Sequence, residues 1–452
     1  MKSYLAPLAL TPSGWQKDFS FSIDGSGDLI EVGKRTEECE VIDGVVLPGM
    51  PNLHSHAFQR AMAGLTERRT AKQDSFWTWR STMYQFLSRF TPESMRAVAS
   101  QLYIEMLKQG FTSVGEFHYV HHQADGTPYD NRAELSHSIF DAAGQTGIAL
   151  THLPVLYQTG GFGDQAPNEG QRPFLNDLDR YLAIVEASSA RAQGDQNKSV
   201  GVAPHSLRAV TLDNLEALHN QIPRDFPIHI HIAEQTKEVN DCLAWCGQTP
   251  VELLLRRFPV NNRWCAIHAT HMTATETRGL AKSGAVAGLC PITEANLGDG
   301  VFKLRTYLKS KGAFGIGSDS NVLISMPEEL RTLEYSLRLK HRKRAIATST
   351  QDMSPGSLLY NKAVSGGAQA LGRKTGSLAD GFRADLIVLQ PENPGLLHHG
   401  PQSLLDAMVF GCNTNPVKDV MVGGDWKIKD GRHTAEEIVL GNYREALSQL
   451  IN

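Results

Sequence analysis

Pro48-Gly49-Met50-Pro51-Asn52-Leu53-His54-Ser55-His56 runs a short apolar stretch directly into two histidines two positions apart. Residues i and i+2 of a strand face the same side, so both imidazoles can reach one metal ion. A His-x-His pair alone is common and says little. Three later stretches give it meaning. In Pro227-Ile228-His229-Ile230-His231-Ile232-Ala233-Glu234-Gln235, isoleucines alternate with histidines and a carboxylate follows three residues after the second His. His231, nearer the strand end, reads as a metal ligand, with Glu234 in the next turn over a metal-bound water. His229 reads as a deeper, buried and hydrogen-bonded side chain. Trp264-Cys265-Ala266-Ile267-His268-Ala269-Thr270 is another apolar strand ending in His, and Phe314-Gly315-Ile316-Gly317-Ser318-Asp319-Ser320-Asn321 is a strand ending in Asp.

Three imidazoles and one carboxylate suit a divalent ion of the zinc type, with one position left open for water. The groups arrive in the order His-x-His, His-x-x-Glu, His, Ser-Asp-Ser, each at the end of a predicted strand and separated by helical segments. Ligands delivered from the carboxyl ends of several strands are what a TIM-type (β/α)8 barrel supplies. The chain of 452 residues has room for a barrel of about 250 residues and a second module. Predicted strands at 45–47, 111–116, 149–156, 200–204, 228–233, 265–269, 285–290 and 313–317 make eight. Thr91-Pro92-Glu93 reads as a helix start and Gly110 as its stop. Short β-like stretches at 19–23, 29–32, 384–389 and 419–424 predict a small β-sandwich domain built from both termini. The expected organisation is therefore 1–47 with 376–452 as that domain, around a catalytic α/β barrel of 48–375.

Composition narrows the function classes. A net charge of −4, from 44 basic and 48 acidic residues, leaves no electrostatic footprint for nucleic acid. The basic run at 341–344 reads as a solvated helix end. Hydrophobic content of 41% and charged content of 20% are ordinary, which points to a soluble globular chain. The cysteines are scattered, apart from Cys242 and Cys246 one helical turn apart, and predict a reduced, cytoplasmic setting. Pro7 and Pro12 break the N-terminal stretch, so neither a signal peptide nor a membrane helix is expected.

These motifs, with Gly376-Ser377-Leu378-Ala379-Asp380-Gly381-Phe382-Arg383-Ala384-Asp385-Leu386, resemble the amidohydrolase superfamily over nearly the whole chain. Within it, His54-Ser55-His56-Ala57-Phe58-Gln59-Arg60 and His231-Ile232-Ala233-Glu234-Gln235 resemble the members that deiminate N-formimidoyl-L-glutamate in bacterial histidine degradation. The resemblance implies that His54, His56, His231 and Asp319 ligate one Zn2+, although iron and manganese tolerate the same set. It implies that Glu234 shuttles protons and that His268 hydrogen-bonds the metal-bound water. Two-metal members use a lysine at the end of the fourth strand. Ala203-Pro204-His205-Ser206 stands there instead, so a mononuclear site is expected. The same resemblance assigns Gln59, Arg80, Tyr119, His205 and Arg208 to the substrate pocket and points to a homodimer.

The residue types support such chemistry by themselves. Hydroxide generated on zinc adds to the electron-poor C=N carbon. Asp319 can take the water's proton, Glu234 can protonate the leaving nitrogen, and His268 can stabilise the oxygen. The expected products are N-formyl-L-glutamate and ammonia. A small-molecule dicarboxylate needs forked cations, and Arg80 and Arg208 follow strand ends or their inserted loops, although an arginine is most often a surface charge. The aromatic cluster Phe76, Trp77, Trp79, Tyr84 and Phe86 reads as helix core or lid packing, and His118, His121 and His122 as loop or supporting residues. The stretch 367–375 approaches a phosphate-binding loop, but Arg373 displaces the lysine and no strand precedes it. The absence of a Gly-x-Ser-x-Gly elbow argues against a serine hydrolase. Two alternatives stay open: a deaminase of a heterocycle such as guanine, a pterin or an adenosine derivative, and a metal-free scaffold.

Overall fold

The β-like stretches at both ends of the chain join in one sheet. The computed structural model describes residues 2–34, 38–67 and 76–451, apart from the side chains of Phe76, Trp77, Thr78, Ser81 and Gln85. The expectation for Phe76 and Trp77 therefore lies outside the described residues. β1 (Lys2–Thr11) and β2 (Gly14–Ile23) form a hairpin, followed by β3 (Leu29–Ile30), β4 (Glu40–Val41) and β5 (Val45–Pro48). Then come β6 (Met50–Ser55), β7 (Phe111–His118), β8 (Ala149–Leu156), β9 (Lys198–Val200), β10 (Ala203–Pro204), β11 (Ile228–Ile232), β12 (Trp264–His268), β13 (Val286–Leu289) and β14 (Ala313–Ile316). The last four are β15 (Leu386–Leu389), β16 (Val417–Val422), β17 (Asp425–Lys429) and β18 (Arg432–His433).

The terminal strands pair in the order β18-β17-β16-β15-β5-β1-β2-β3, with β4 beside β1. Their inward residues, among them Tyr4, Phe19, Phe21, Leu386 and Met421, form an apolar cluster separate from the main core. The stretch 45–47, expected as the first barrel strand, belongs here: β5 pairs with β1 and β15. The chain turns at Gly49, where a Cβ would come within 2.2 Å of Thr112, and β6 begins one residue later.

β6 to β14 pair in parallel as two sheets, β6-β7-β8-β10 with β9 on β8, and β11-β12-β13-β14. Bridges join both seams. Ser206 pairs with His231 and Val202 with Ile228 on one side, and Ser55 pairs with Asp319 on the other. The pairings thus run in a closed circuit with helices between successive strands except β9 and β10, and the helix Pro92–Lys108 begins with the expected Thr91 cap. The helix Pro355–Ala370 approaches β14 so closely that a Cβ on Gly366 would lie 1.9 Å from the Phe314 carbonyl oxygen. The C-terminal helix Glu436–Ile451 lies along Pro92–Lys108, held by a Lys108–Glu436 ion pair and by Arg89 donating to the Leu450 carbonyl at 2.8 Å. Arg383, almost fully buried, ties the terminal sheet to the loop before β9 through Asp28 at 2.9 Å and Asn197 at 2.7 Å. Among the described residues no helix is long and apolar enough to cross a membrane.

Candidate metal centre

The register of β6 against β7 slips between Asn52 and Ser55, a bulge placed where the ligand pair begins. His54 and His56 emerge from it opposite the end of β14. Asp319 has φ +49°, a conformation that costs a non-glycine residue energy and is held by reciprocal backbone bonds. Its N–H donates to the His54 carbonyl at 2.9 Å, and the His56 N–H donates to the Asp319 carbonyl at 3.0 Å. The Nε2 atoms of His54 and His56 each lie 3.3 Å from Asp319 Oδ1, and His231 Nε2 lies 3.1 Å from His54 Nε2. All four side chains are buried, with one donor atom from each inside 4.8 Å of the others.

This group fits a cation on its own chemistry. His56 Nδ1 is 2.9 Å from the Phe117 carbonyl, which can only accept, so Nδ1 carries the hydrogen and Nε2 turns a lone pair toward Asp319. Burial, then the charge of His54, lowers His56 to about 3 and keeps a proton off that lone pair. Burial opposes the charge on Asp319, yet the hydrogen bond and charge of His54 hold its carboxyl well below the usual range. The His56 lone pair aimed at an ionised oxygen repels it unless a cation lies between them, and three imidazole nitrogens with one carboxylate suit the zinc type.

Glu234 and His268 stand beside this group. Ala233 takes φ +50° so that the chain turns after β11, and Glu238 secures the turn by accepting the N–H groups of Ala233 and Glu234, both at 3.1 Å. His268, at φ +67°, places Nε2 3.8 Å from Glu234 Oε1 and 3.8 Å from Asp319 Oδ2. Its Nδ1 lies 3.3 Å from Glu294 Oε1. Burial raises Glu234 to about 7, against the pull of His268 and Arg208. Burial works against a charged His268 too, but Glu234, Glu294 and Asp319 together raise it to about 10. An acid near neutrality beside a held cation suits proton transfer and charge stabilisation.

A pocket opens over the group. Its wall includes every residue expected from sequence in the site except His54, which lies beneath: His56, Gln59, Arg80, Tyr119, His205, Arg208, His231, Glu234, His268 and Asp319. Gln59 Nε2 donates to the Tyr119 hydroxyl at 3.1 Å, and His205 Nδ1 lies 3.0 Å from Ser206 Oγ. Trp79 and Tyr84, expected as helix packing, also line this space, because the helix Phe76–Leu87 turns that side inward. Three other buried histidines bond backbone carbonyls. His229 bonds the Ala370 carbonyl at 2.7 Å, His121 the Val155 carbonyl at 2.9 Å, and His122 the Leu175 carbonyl at 3.0 Å. Sequence reading passed over Tyr157, Glu238 and Glu294. The available signals were position alone: Tyr157 directly follows a strand, and Glu238 lies one helical turn beyond Glu234.

Comparison with known proteins agrees with this geometry. Residues 45–427 match the model of the amidohydrolase family. The chain is 48% identical to formimidoylglutamate deiminase of Pseudomonas aeruginosa, with 100% of both chains covered. It is 28% identical to 8-oxoguanine deaminase of the same organism over 90% of this chain and 88% of that one. The crystal structure of an amidohydrolase from Brucella melitensis superposes with a TM-score of 0.95 at 46% identity, covering 100% of each chain. A barrel-like circuit ending in a buried His-His-His-Asp group, together with a family match across most of its length, places the chain in the amidohydrolase family.

Proposed function

We propose that this hydrolase converts N-formimidoyl-L-glutamate to N-formyl-L-glutamate and ammonia, a step of histidine degradation. The observation that carries the reading is the pair Arg80 and Arg208 on the wall that also holds His231, Glu234, His268 and Asp319. Forked cations for two carboxylates thus stand beside a hydrolytic centre. Full-length similarity to the Pseudomonas enzyme supports it. A heterocycle would give neither guanidinium a carboxylate.

In this reading His54, His56, His231 and Asp319 hold one divalent ion, best matched by zinc. When bound, the ion supplies a nucleophile at neutral pH by acidifying a water. Asp319 Oδ2, the oxygen turned toward His268, is placed to take a proton from the attacking water. Glu234, poised near neutrality, delivers a proton to the amidine nitrogen so that it leaves as ammonia. His268 faces the oxygen that gains charge at the former C=N carbon. Gln59, Tyr119 and His205 bound the space for the formimidoyl group. Residues 48–375 are read as a TIM-type (β/α)8 barrel and 1–47 with 376–452 as a small β-sandwich domain, supported by the closed circuit and the sheet shared by both termini. The free cysteines support a reducing, cytoplasmic setting, and the resemblance suggests a homodimer.

Purified protein given N-formimidoyl-L-glutamate should release ammonia and N-formylglutamate in equal amounts. Formamide with glutamate would mean that a different bond is cut, and faster turnover of guanine or a pterin would overturn the substrate. Arg80→Met and Arg208→Met should each lower kcat/KM by roughly 10- to 150-fold, the worth of a charge-assisted fork, with lysine restoring only part. Wild-type kcat/KM in both variants would remove these arginines from the pocket.

A further inference from the structure

Tyr157 sits one residue past β8, its carbonyl fixed by the Asn176 N–H at 3.1 Å, and its ring lines the cavity beside His205 and Arg208. The direction of its hydroxyl follows from its neighbours. Gln171, fully buried, accepts the Asn168 N–H through Oε1 at 2.8 Å, so the other end of that amide, Nε2, donates to the Tyr157 oxygen at 2.6 Å. A phenol oxygen that receives this donor keeps its own hydrogen to give.

What surrounds that hydrogen is cationic. The Arg80 guanidinium lies 5.6 Å from the Tyr84 ring centre, and Arg208 acts electrostatically on both tyrosines. Arg208 Nε is buried and finds no hydrogen-bond partner among the described residues. A directed phenol O–H next to an unmatched guanidinium N–H is a pair of donors shaped for one anionic, two-oxygen group.

We propose that Tyr157 donates its hydroxyl hydrogen to a carboxylate seated on Arg208, and that Gln171 is a positioning residue that aims it. The subsite deepens the reading of the substrate as a dicarboxylate and rests on it. Glutarate, which carries both carboxylates and no amidine, separates the two. Its Kd, measured by calorimetry on metal-loaded Tyr157→Phe, should rise about 10- to 100-fold over wild type, the range of a hydrogen bond to a charged acceptor, with metal content unchanged. On N-formimidoyl-L-glutamate the loss should fall mainly in KM. Gln171→Leu keeps the hydroxyl but removes its partner, and should weaken glutarate by a smaller factor of about 3 to 10. In an Arg208→Met background the effect of Tyr157→Phe should largely vanish, because both contacts serve one group. Unchanged glutarate affinity in Tyr157→Phe, additive losses with Arg208→Met, or no glutarate binding by wild type would overturn the subsite. Tyr157-dependent glutarate binding in a protein that leaves N-formimidoyl-L-glutamate intact would keep the subsite and remove the substrate reading.

Discussion

Glu234 combines three observations: burial, a value raised to about 7, and a turn secured by Glu238 that points it at His268 and Asp319. Glu234→Gln preserves shape but cannot carry a proton, so kcat should fall by about 100-fold or more while metal content stays at the wild-type level. Loss of metal in that variant would make Glu234 a ligand instead. Glu116 offers a different test. It is buried behind the His-x-His turn, accepts the Ala57 N–H at 2.6 Å and the Tyr103 hydroxyl at 3.2 Å, and is raised by burial from 4.5 to about 8. Between those values the folded protein keeps a proton that the unfolded chain has released, so the contribution to stability is full at low pH and is lost as pH rises toward 8. Glu116→Gln should flatten this dependence, which Tm measured at pH 5 and pH 9 for both proteins would reveal. The side chains that converge on the candidate ion site were readable in the sequence because strand alternation and strand ends leave a pattern around them. Tyr157 and Glu238 were not, since their roles depend on what lies across the cavity or one helical turn away.

Strand boundaries were harder to read than strand identities. The stretch from Val45 to Ser55 is largely apolar, and it passes from one sheet to the other at Gly49, where any Cβ would crowd Thr112. That contact is remote in sequence, so no local propensity records it. The same dependence on close approach governs the helix Pro355–Ala370. Alanine favours a helix interior over glycine by about 1 kcal/mol. At Gly366, however, the added Cβ would meet a backbone oxygen of β14 at 1.9 Å, which no rotamer can relieve. Overpacking of this kind costs about 1–3 kcal/mol and outweighs propensity. Gly366→Ala should therefore lower the denaturation midpoint, whereas Gly441→Ala, on the C-terminal helix with nothing within 4 Å, should raise it slightly. Equal shifts in the two variants would show that packing does not decide.

The described residues form three buried apolar clusters, one within the terminal sheet, a large one around the circuit and a small one about Leu53 and Ile267, and Arg383 ties the terminal sheet to the loop before β9 through Asn197. The alternation of strands and helices made the α/β interior readable, and short strands at both ends announced the sheet they share. The pairing order, with β5 next to β15, was beyond local pattern because it joins segments more than 300 residues apart. One seam of the circuit has a double duty. β6 and β14 meet through backbone bonds of His54, His56 and Asp319, the same residues whose side chains converge on the ion site. An ion bound there would clasp the fold, its affinity adding to the stability of the closed form by mass action. After chelation, amide hydrogens of His56 and Asp319 should exchange with deuterium much faster, while those between β12 and β13 change little, and added zinc should reverse the difference. Uniform exchange across both seams would show that the clasp is not local. If the seam opens first, metal supply governs how long the protein survives proteolysis, so a metal-starved cell would lose the enzyme itself and not only its activity.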